Sequence, residues 1–196
     1  MSEHAGIRSL HSFSAGAHYD ADNVAFGALV GVDEHVLDPG VGFDRHGHRG
    51  VAIVTWVVEG ALRHEDSTGR VEIVEAGHAA VQVAGRGIEH VEANASATEP
   101  VRFVQTTLLS DDDEPSYRVG TLPIVVAASL VDLHRSGPLV LEARRSCVYV
   151  VEGEFAVAHG DDQVKRDALY AGDSMRAATE TATFDGSGEM LVVLLR

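Results

Sequence analysis

Two short pairs of potential metal ligands stand 44 residues apart in the chain, counted from His46 to His90. The first pair is His46 and His48, and the second is His90 and Glu92. Because side chains alternate across a β-strand, the members of each i, i+2 pair would point to the same face of a strand. Two such strands brought together would offer three imidazoles and one carboxylate to a single point. This donor set predicts a transition-metal site with open coordination positions.

The rest of the chain is typical of an all-β protein, because short apolar runs alternate with Gly and acidic residues and show hardly any helical periodicity. Strands are predicted over four segments, which are 52–58, 71–74, 79–83 and 101–109. We expect hairpin turns at Glu59-Gly60 and Glu152-Gly153, which lie between apolar runs. The acidic segment 110–115 follows a clear strand and is expected to be a linker.

A faint internal repeat favours two similar β-modules in tandem. Residues 56–60 (WVVEG) recur as residues 149–153 (YVVEG), offset by 93 residues, and Ala76-Gly77 recurs as Ala171-Gly172, offset by 95. We therefore expect an N-terminal domain over 1–114 and a C-terminal domain over 115–196.

The repeat also predicts that only the first module binds a metal. The same offset places Leu139 and Leu141 where the first module has His46 and His48. Near the counterparts of His90 and Glu92 stand Asp185 and Ser187. His134 and His159 have no partner at i±2, so we interpret both as surface or capping residues. The isolated histidines among the 11 of the chain are expected to be solvated or hydrogen-bonded.

Composition narrows the classes of partner. The formal charge of −15 argues against nucleic acid, because no basic face is available to contact phosphates. No apolar run approaches the length of a membrane span, and the N-terminal residues have no features of a signal peptide. With one cysteine, Cys147, no internal disulfide can form, and we expect a cytoplasmic protein. No exposed apolar stripe stands out, so we expect a monomer.

The motifs around both ligand pairs resemble those of a known family. Gly40, then His46-Gly47-His48, and Gly60 downstream resemble the first cupin motif. Residues 84–94 (AGRGIEHVEAN) resemble the second motif in the form that pirins use. The segments 11–29, 48–60 and 64–67 also look like those of bacterial pirin-like proteins. The resemblance covers the first module and is weak over the C-terminal half.

The resemblance implies an all-β bicupin, with two tandem β-barrels of which only the N-terminal one holds a metal. Carried over, the ligands are His46, His48, His90 and Glu92, the same four that the spacing suggests. Two residues depart from the family pattern: Gly47 stands where pirins commonly have proline, and Ala52 replaces the glutamate of the general cupin motif. Neither departure removes a predicted donor.

On this basis the first hypothesis is a metal-dependent dioxygenase of the quercetinase type, acting on a flavonol or a similar enol-bearing aromatic. Fe(II) suits the donor set, and Mn, Ni, Co, Cu and Zn are also compatible. Glu92 would serve as ligand and as general base toward the substrate hydroxyl. Arg49 is a candidate to orient an anionic ligand, or else forms a surface salt bridge, and Gln105 is a candidate for a hydrogen bond inside the barrel. Four apolar residues are candidates for pocket walls or for the core: Val54, Trp56, Val81 and Val83.

Three other functions stay open at this point. The first is a metal- or redox-sensing regulatory protein that binds a protein partner, which is the class that eukaryotic pirins resemble. The second is another small-molecule cupin activity without oxygen, such as isomerisation. The third is a metal-free structural cupin.

Overall fold

The protein is built almost entirely of β-strands. A computed structural model of the chain describes residues 1–16, 18–159 and 167–196. Within these ranges the helical content is one short 3-10 turn, Ala21–Asn23, whose start is capped by the Asp20 carboxylate. No helix in the described ranges has the length and apolarity needed to cross a bilayer. The all-β class expected from the sequence is therefore confirmed.

Two compact units divide the chain, Met1–Thr121 and Leu122–Arg196. The strands of the first unit are β1 (Ser2–His4), β2 (Ile7–His11), β3 (Leu29–Leu37), β4 (His46–His48), β5 (Val51–Glu59), β6 (Ala61–Asp66), β7 (Val71–Glu75), β8 (Ala79–Val83), β9 (Ile88–Asn94), β10 (Val101–Leu109) and β11 (Ser116–Gly120). The four strands that the sequence predicts correspond to β5, β7, β8 and β10.

The first unit consists of two antiparallel sheets. The larger has the strand order β1-β2-β3-β10-β5-β8-β11, and the smaller has the order β4-β9-β6-β7. Val57 and Phe103 of the larger sheet pack in one buried cluster with Leu62 and Val74 of the smaller sheet. The core of this unit therefore lies between the sheets, and alternate residues of each strand point into it.

The first unit extends past the acidic segment. Strand β11 pairs with β8, in a register that sets Tyr117 opposite Gln82. The division after Thr121 thus differs from the boundary after Glu114 that the sequence analysis expects, because the segment 110–115 connects two strands of one sheet. Its acidic residues mark a loop within the unit.

The strands of the second unit are β12 (Ile124–Val126), β13 (Ser129–Arg135), β14 (Leu139–Leu141), β15 (Ser146–His159), β16 (Asp167–Tyr170), β17 (Ser174–Ala177) and β18 (Ala182–Leu194). The unit has the order β12-β13-β18-β15-β16, with β14 paired to β18 and β17 paired to β15. Leu141 lies in its buried apolar cluster and Leu139 packs against that cluster. The positions that correspond to His46 and His48 therefore contribute to a hydrophobic core.

The two expected hairpin turns are wrong, for a different reason at each glycine. Gly60 separates β5 from β6, but these strands lie in different sheets, so the chain crosses between layers there. Gly153 lies inside the continuous strand β15, next to a register shift against β18. A Cβ at Gly153 would collide with the Ser187 carbonyl oxygen, so this glycine permits a close approach of two backbones.

Candidate metal centre

Three of the predicted ligands converge at the edge of the smaller sheet. His46 and His48 lie on β4, and His46 is directly opposite His90 on β9. The Nε2 atom of His90 lies 3.0 Å from Nε2 of His46 and 3.0 Å from Nε2 of His48. His90 is buried, whereas His46 and His48 are partly exposed. The partly exposed side of this cluster is therefore the β4 side.

The ring nitrogens of these imidazoles face one another at hydrogen-bond distance. His46 Nδ1 lies 2.8 Å from the Asp44 carbonyl oxygen and donates a hydrogen bond to it, which places the ring proton on Nδ1 and directs Nε2 to the other imidazoles. Burial and the neighbouring imidazoles lower the pKa of His90 to about 3, and burial and His46 lower the pKa of His48. Three ring nitrogens that converge in this way suit a bound cation, because a metal is ligated by the deprotonated nitrogen of each imidazole.

The fourth predicted ligand, Glu92, is buried on the same face of β9 as His90. Gln105 on β10 donates a hydrogen bond from Nε2 to Oε2 of Glu92 at 2.7 Å. Burial raises the pKa of Glu92 to about 7, although hydrogen bonds from Gln105 and Thr55 lower it. Its carboxylate groups with His90 and His64, not with His46 and His48. The structure thus brings three of the predicted donors together, and the complete set of four stays a prediction.

His64 is a candidate ligand that the sequence analysis missed. It lies opposite Glu92 on β6, and donor atoms of His64, His90 and Glu92 lie within 4.8 Å of one another. Its Nε2 is 3.3 Å from Oδ2 of Asp66, and its ring stacks on Tyr117 with centroids 4.2 Å apart. A signal was present in the sequence, because His64 and Asp66 also form an i, i+2 pair of potential ligands.

Gln105 and the four candidate wall residues have different surroundings in the structure. The expectation for Gln105 is confirmed, because its amide also lies 3.1 Å from Thr55 Oγ1 inside the unit. The four candidate wall residues are buried, with exposed fractions of 8% or less, and belong to the core: Val54, Trp56, Val81 and Val83.

A cleft of about 410 Å³ opens beside His48 and is lined in part by Arg49, Ser67 and Glu89. Within the described ranges Arg49 makes no salt bridge, and its role toward an anionic ligand stays a prediction.

The second unit has no comparable centre in the part that the structure describes, since both groups of potential ligands lie in the first unit. Among its two histidines, His134 donates from Nε2 to the Gly137 carbonyl oxygen at 2.9 Å, which closes a turn as expected of a capping residue. The side chain of His159 lies outside the described residues.

The comparisons with known proteins all indicate the same family. The family model for pirin matches residues 1–108. A Mycobacterium tuberculosis protein named "Putative quercetin 2,3-dioxygenase" is 50% identical over 105 residues, which cover 54% of this chain and 43% of that protein. Quercetin 2,3-dioxygenase of Escherichia coli K12 is 35% identical over 130 residues, which cover 65% of this chain and 56% of the enzyme. The chain therefore spans about half the length of these curated relatives.

A solved structure extends the similarity of fold to the whole chain. The crystal structure of the bacterial pirin YhhW from Escherichia coli in complex with nickel(II) matches with a TM-score of 0.83 and 24% identity, and covers 99% of this chain and 93% of that one. This likeness confirms the cupin-type architecture, although the sheets described here are not closed barrels. More than half of the chain matches the family model, so this chain belongs to the pirin family.

Proposed function

We propose that this chain is a metal-dependent dioxygenase of the quercetinase type, which cleaves a flavonol or a similar aromatic with an enol hydroxyl. The observation that carries the proposal is the convergence of three imidazole nitrogens on one point, beside a buried carboxylate. Two comparisons support it: the Escherichia coli relative is named quercetin 2,3-dioxygenase, and the YhhW structure contains nickel(II).

The metal would be held by His46, His48 and His90, with Glu92 as the fourth donor. When bound, a divalent metal supplies Lewis acidity toward the substrate hydroxyl and a template for the reactants. Iron(II) is the metal we propose first, because it suits mixed imidazole and carboxylate donors; manganese, nickel, cobalt, copper and zinc suit them too.

Glu92 would be the general base of the reaction. Burial raises the pKa of Glu92 in the metal-free protein, and a carboxylate in this position would accept the proton of an enol hydroxyl that binds beside it. Gln105 and Thr55 hold the carboxylate by hydrogen bonds, so the group that accepts the proton is oriented before the substrate arrives. Entry from the β4 side would bring the substrate hydroxyl to the three imidazoles first, because His46 and His48 are the partly exposed members.

The test is anaerobic reconstitution with Fe(II), addition of quercetin and then of oxygen. We expect loss of the flavonol absorbance band and consumption of oxygen equimolar with quercetin, both abolished in His90→Gln and retained in His134→Gln. If the protein turns over no quercetin with any of the metals named above, the proposal is contradicted. Metal binding without turnover would instead favour the redox-sensing alternative, for which partners captured by the reduced and oxidised protein must differ.

A further inference from the structure

Gln82 is a buried polar side chain that has no partner within the described residues. Its side chain is 3% exposed, and neither Nε2 nor Oε1 makes a hydrogen bond there. Buried amides in native proteins are nearly always paired, because an unpaired donor or acceptor costs about 1–3 kcal/mol. A group that is not a side chain of the described residues is therefore expected to bond with this amide.

The amide points into the space between the two sheets of the first unit. Ala80, two residues earlier on β8, belongs to the buried cluster that contains Leu62 and Val74 of the smaller sheet. Residues two apart on a strand share a face, so Gln82 points to the same side. On the neighbouring strand β11, Tyr117 is the residue opposite Gln82, and its ring stacks on His64 of the smaller sheet. Both neighbours thus place Gln82 on the inner face.

This position lies next to the candidate metal centre. Gln82 is opposite Ile53 on β5, and Thr55 is two residues further along β5 on the same face. Such diagonal neighbours are about 7–8 Å apart, which is within reach of a long side chain or a small aromatic molecule. Thr55 lies in turn 3.1 Å from Gln105, which donates to Glu92. The amide of Gln105 is therefore hydrogen-bonded to protein groups, whereas that of Gln82 has no partner among the described residues.

We propose that Gln82 is a specificity residue that hydrogen-bonds the hydroxyl groups of an aromatic substrate held between the sheets. A primary amide offers one acceptor oxygen and two N–H donors in one plane, which matches neighbouring hydroxyl or carbonyl groups on a flat ring. The apolar Ile53 and the Tyr117 ring flank it on the two adjacent strands. This inference rests on the proposed function, since it names the polar groups that the substrate carries beyond the hydroxyl at the metal.

The test compares two flavonols under anaerobic conditions, so that binding is measured without turnover. Quercetin carries hydroxyls on both outer rings, whereas 3-hydroxyflavone has only the hydroxyl that would meet the metal. We expect Gln82→Met to weaken quercetin binding about 10- to 100-fold and to leave 3-hydroxyflavone binding unchanged. Thr106→Val is the matched control, because Thr106 is also buried and unpartnered among the described residues but lies on the opposite face from Gln105. It should change neither affinity.

An unchanged ratio of the two affinities in Gln82→Met would overturn the inference and indicate a buried water as the partner. Failure of both flavonols to bind the wild-type protein would overturn it as well. Binding of quercetin that depends on Gln82, without turnover on adding oxygen, would support the inference and contradict only the dioxygenase. Metal content should be equal in all variants. Gln82→Met and Gln82→Leu should melt at or above the wild-type temperature, and lower melting of both would indicate a structural role and contradict the inference.

Discussion

Gln105 Nε2 donates a hydrogen bond to Oε2 of Glu92 at 2.7 Å, across from the larger sheet to the smaller one. This bond orients the only carboxylate among the four predicted ligands. Replacing Gln105 by Leu should raise the pKa of Glu92 above its value of about 7, because the bond stabilises the ionised form. Loss of such an outer partner should also weaken metal binding about 10- to 100-fold. Competition with a chelator measures the affinity, and Thr106→Val should leave it unchanged.

The raised pKa of Glu92 predicts how the metal-free protein responds to pH. In the unfolded chain this carboxyl titrates at 4.5, and in the folded protein at about 7, because burial disfavours the charge. Its contribution to stability is therefore fully present below pH 4.5 and is lost as the pH rises to about 7, by about 3 kcal/mol. Unfolding in urea at several pH values should show this loss in wild type and not in Glu92→Gln. A curve of the same shape in both proteins would contradict the prediction.

His35 should produce the opposite dependence. Its ring is buried beside Phe43 and Phe103, and its Nδ1 atom lies 2.7 Å from Oγ of Ser9. Burial, and secondarily His11, lower the pKa of His35 from 6.5 to about 4. Stability from this group is present above pH 6.5 and is lost as the pH falls to about 4, by about 3 kcal/mol.

The measurement is the same urea series on His35→Gln, which should show a weaker decline toward acid than wild type. Since Glu92 acts in the reverse direction over much of the same range, the double variant with Glu92→Gln isolates the effect of His35. An equal decline with and without His35 would refute the assignment.

The converging imidazoles predict a metal stoichiometry of about one per chain that depends on each of them. His46→Ala, His48→Ala and His90→Ala should each lose most of the bound metal, because the three imidazole nitrogens meet at one point. Elemental analysis of protein purified without added metal gives the result. His134→Ala is the control, since this imidazole bonds to a carbonyl oxygen in the second unit. Retention of metal in all three variants would rule out this centre.

His64 allows the two overlapping groups of donors to be separated. We expect His64→Phe to keep its metal, because the stacking on Tyr117 can be preserved by a phenyl ring and the three-imidazole group stays complete. The metal content and the chelator competition are compared with those of Glu92→Gln. Loss of metal in His64→Phe would show that His64, His90 and Glu92 hold the ion instead.

Much of this architecture follows from local sequence, because strand alternation is a short-range property. The i, i+2 spacing of His46 and His48 was sufficient to place both side chains on one face, and β9 brought His90 to them. The apolar run that forms β10 is also evident in the sequence, which makes Gln105 a candidate for an inward-facing hydrogen bond.

Other features depend on pairing between distant residues, which no local pattern shows. The acidic segment 110–115 is polar like a linker, yet the next residues return to pair with β8 and bring Tyr117 beside His64. Gly153 has the composition of a turn, but the close approach of β15 to β18 requires a glycine for another reason. In both cases the partner strand, not the local sequence, decides the structure.

The return of β11 to the first sheet limits how this protein can be recombined with its relatives. In a chimera joined within the acidic segment, β11 would come from a different parent than the rest of the first sheet. Tyr117 would then be replaced by the other parent's residue, while His64, on which its ring stacks, would be kept. A breakpoint after Thr121 would leave each unit with its own strands. Domain shuffling in this family should therefore be tolerated at the later position and penalised at the earlier one.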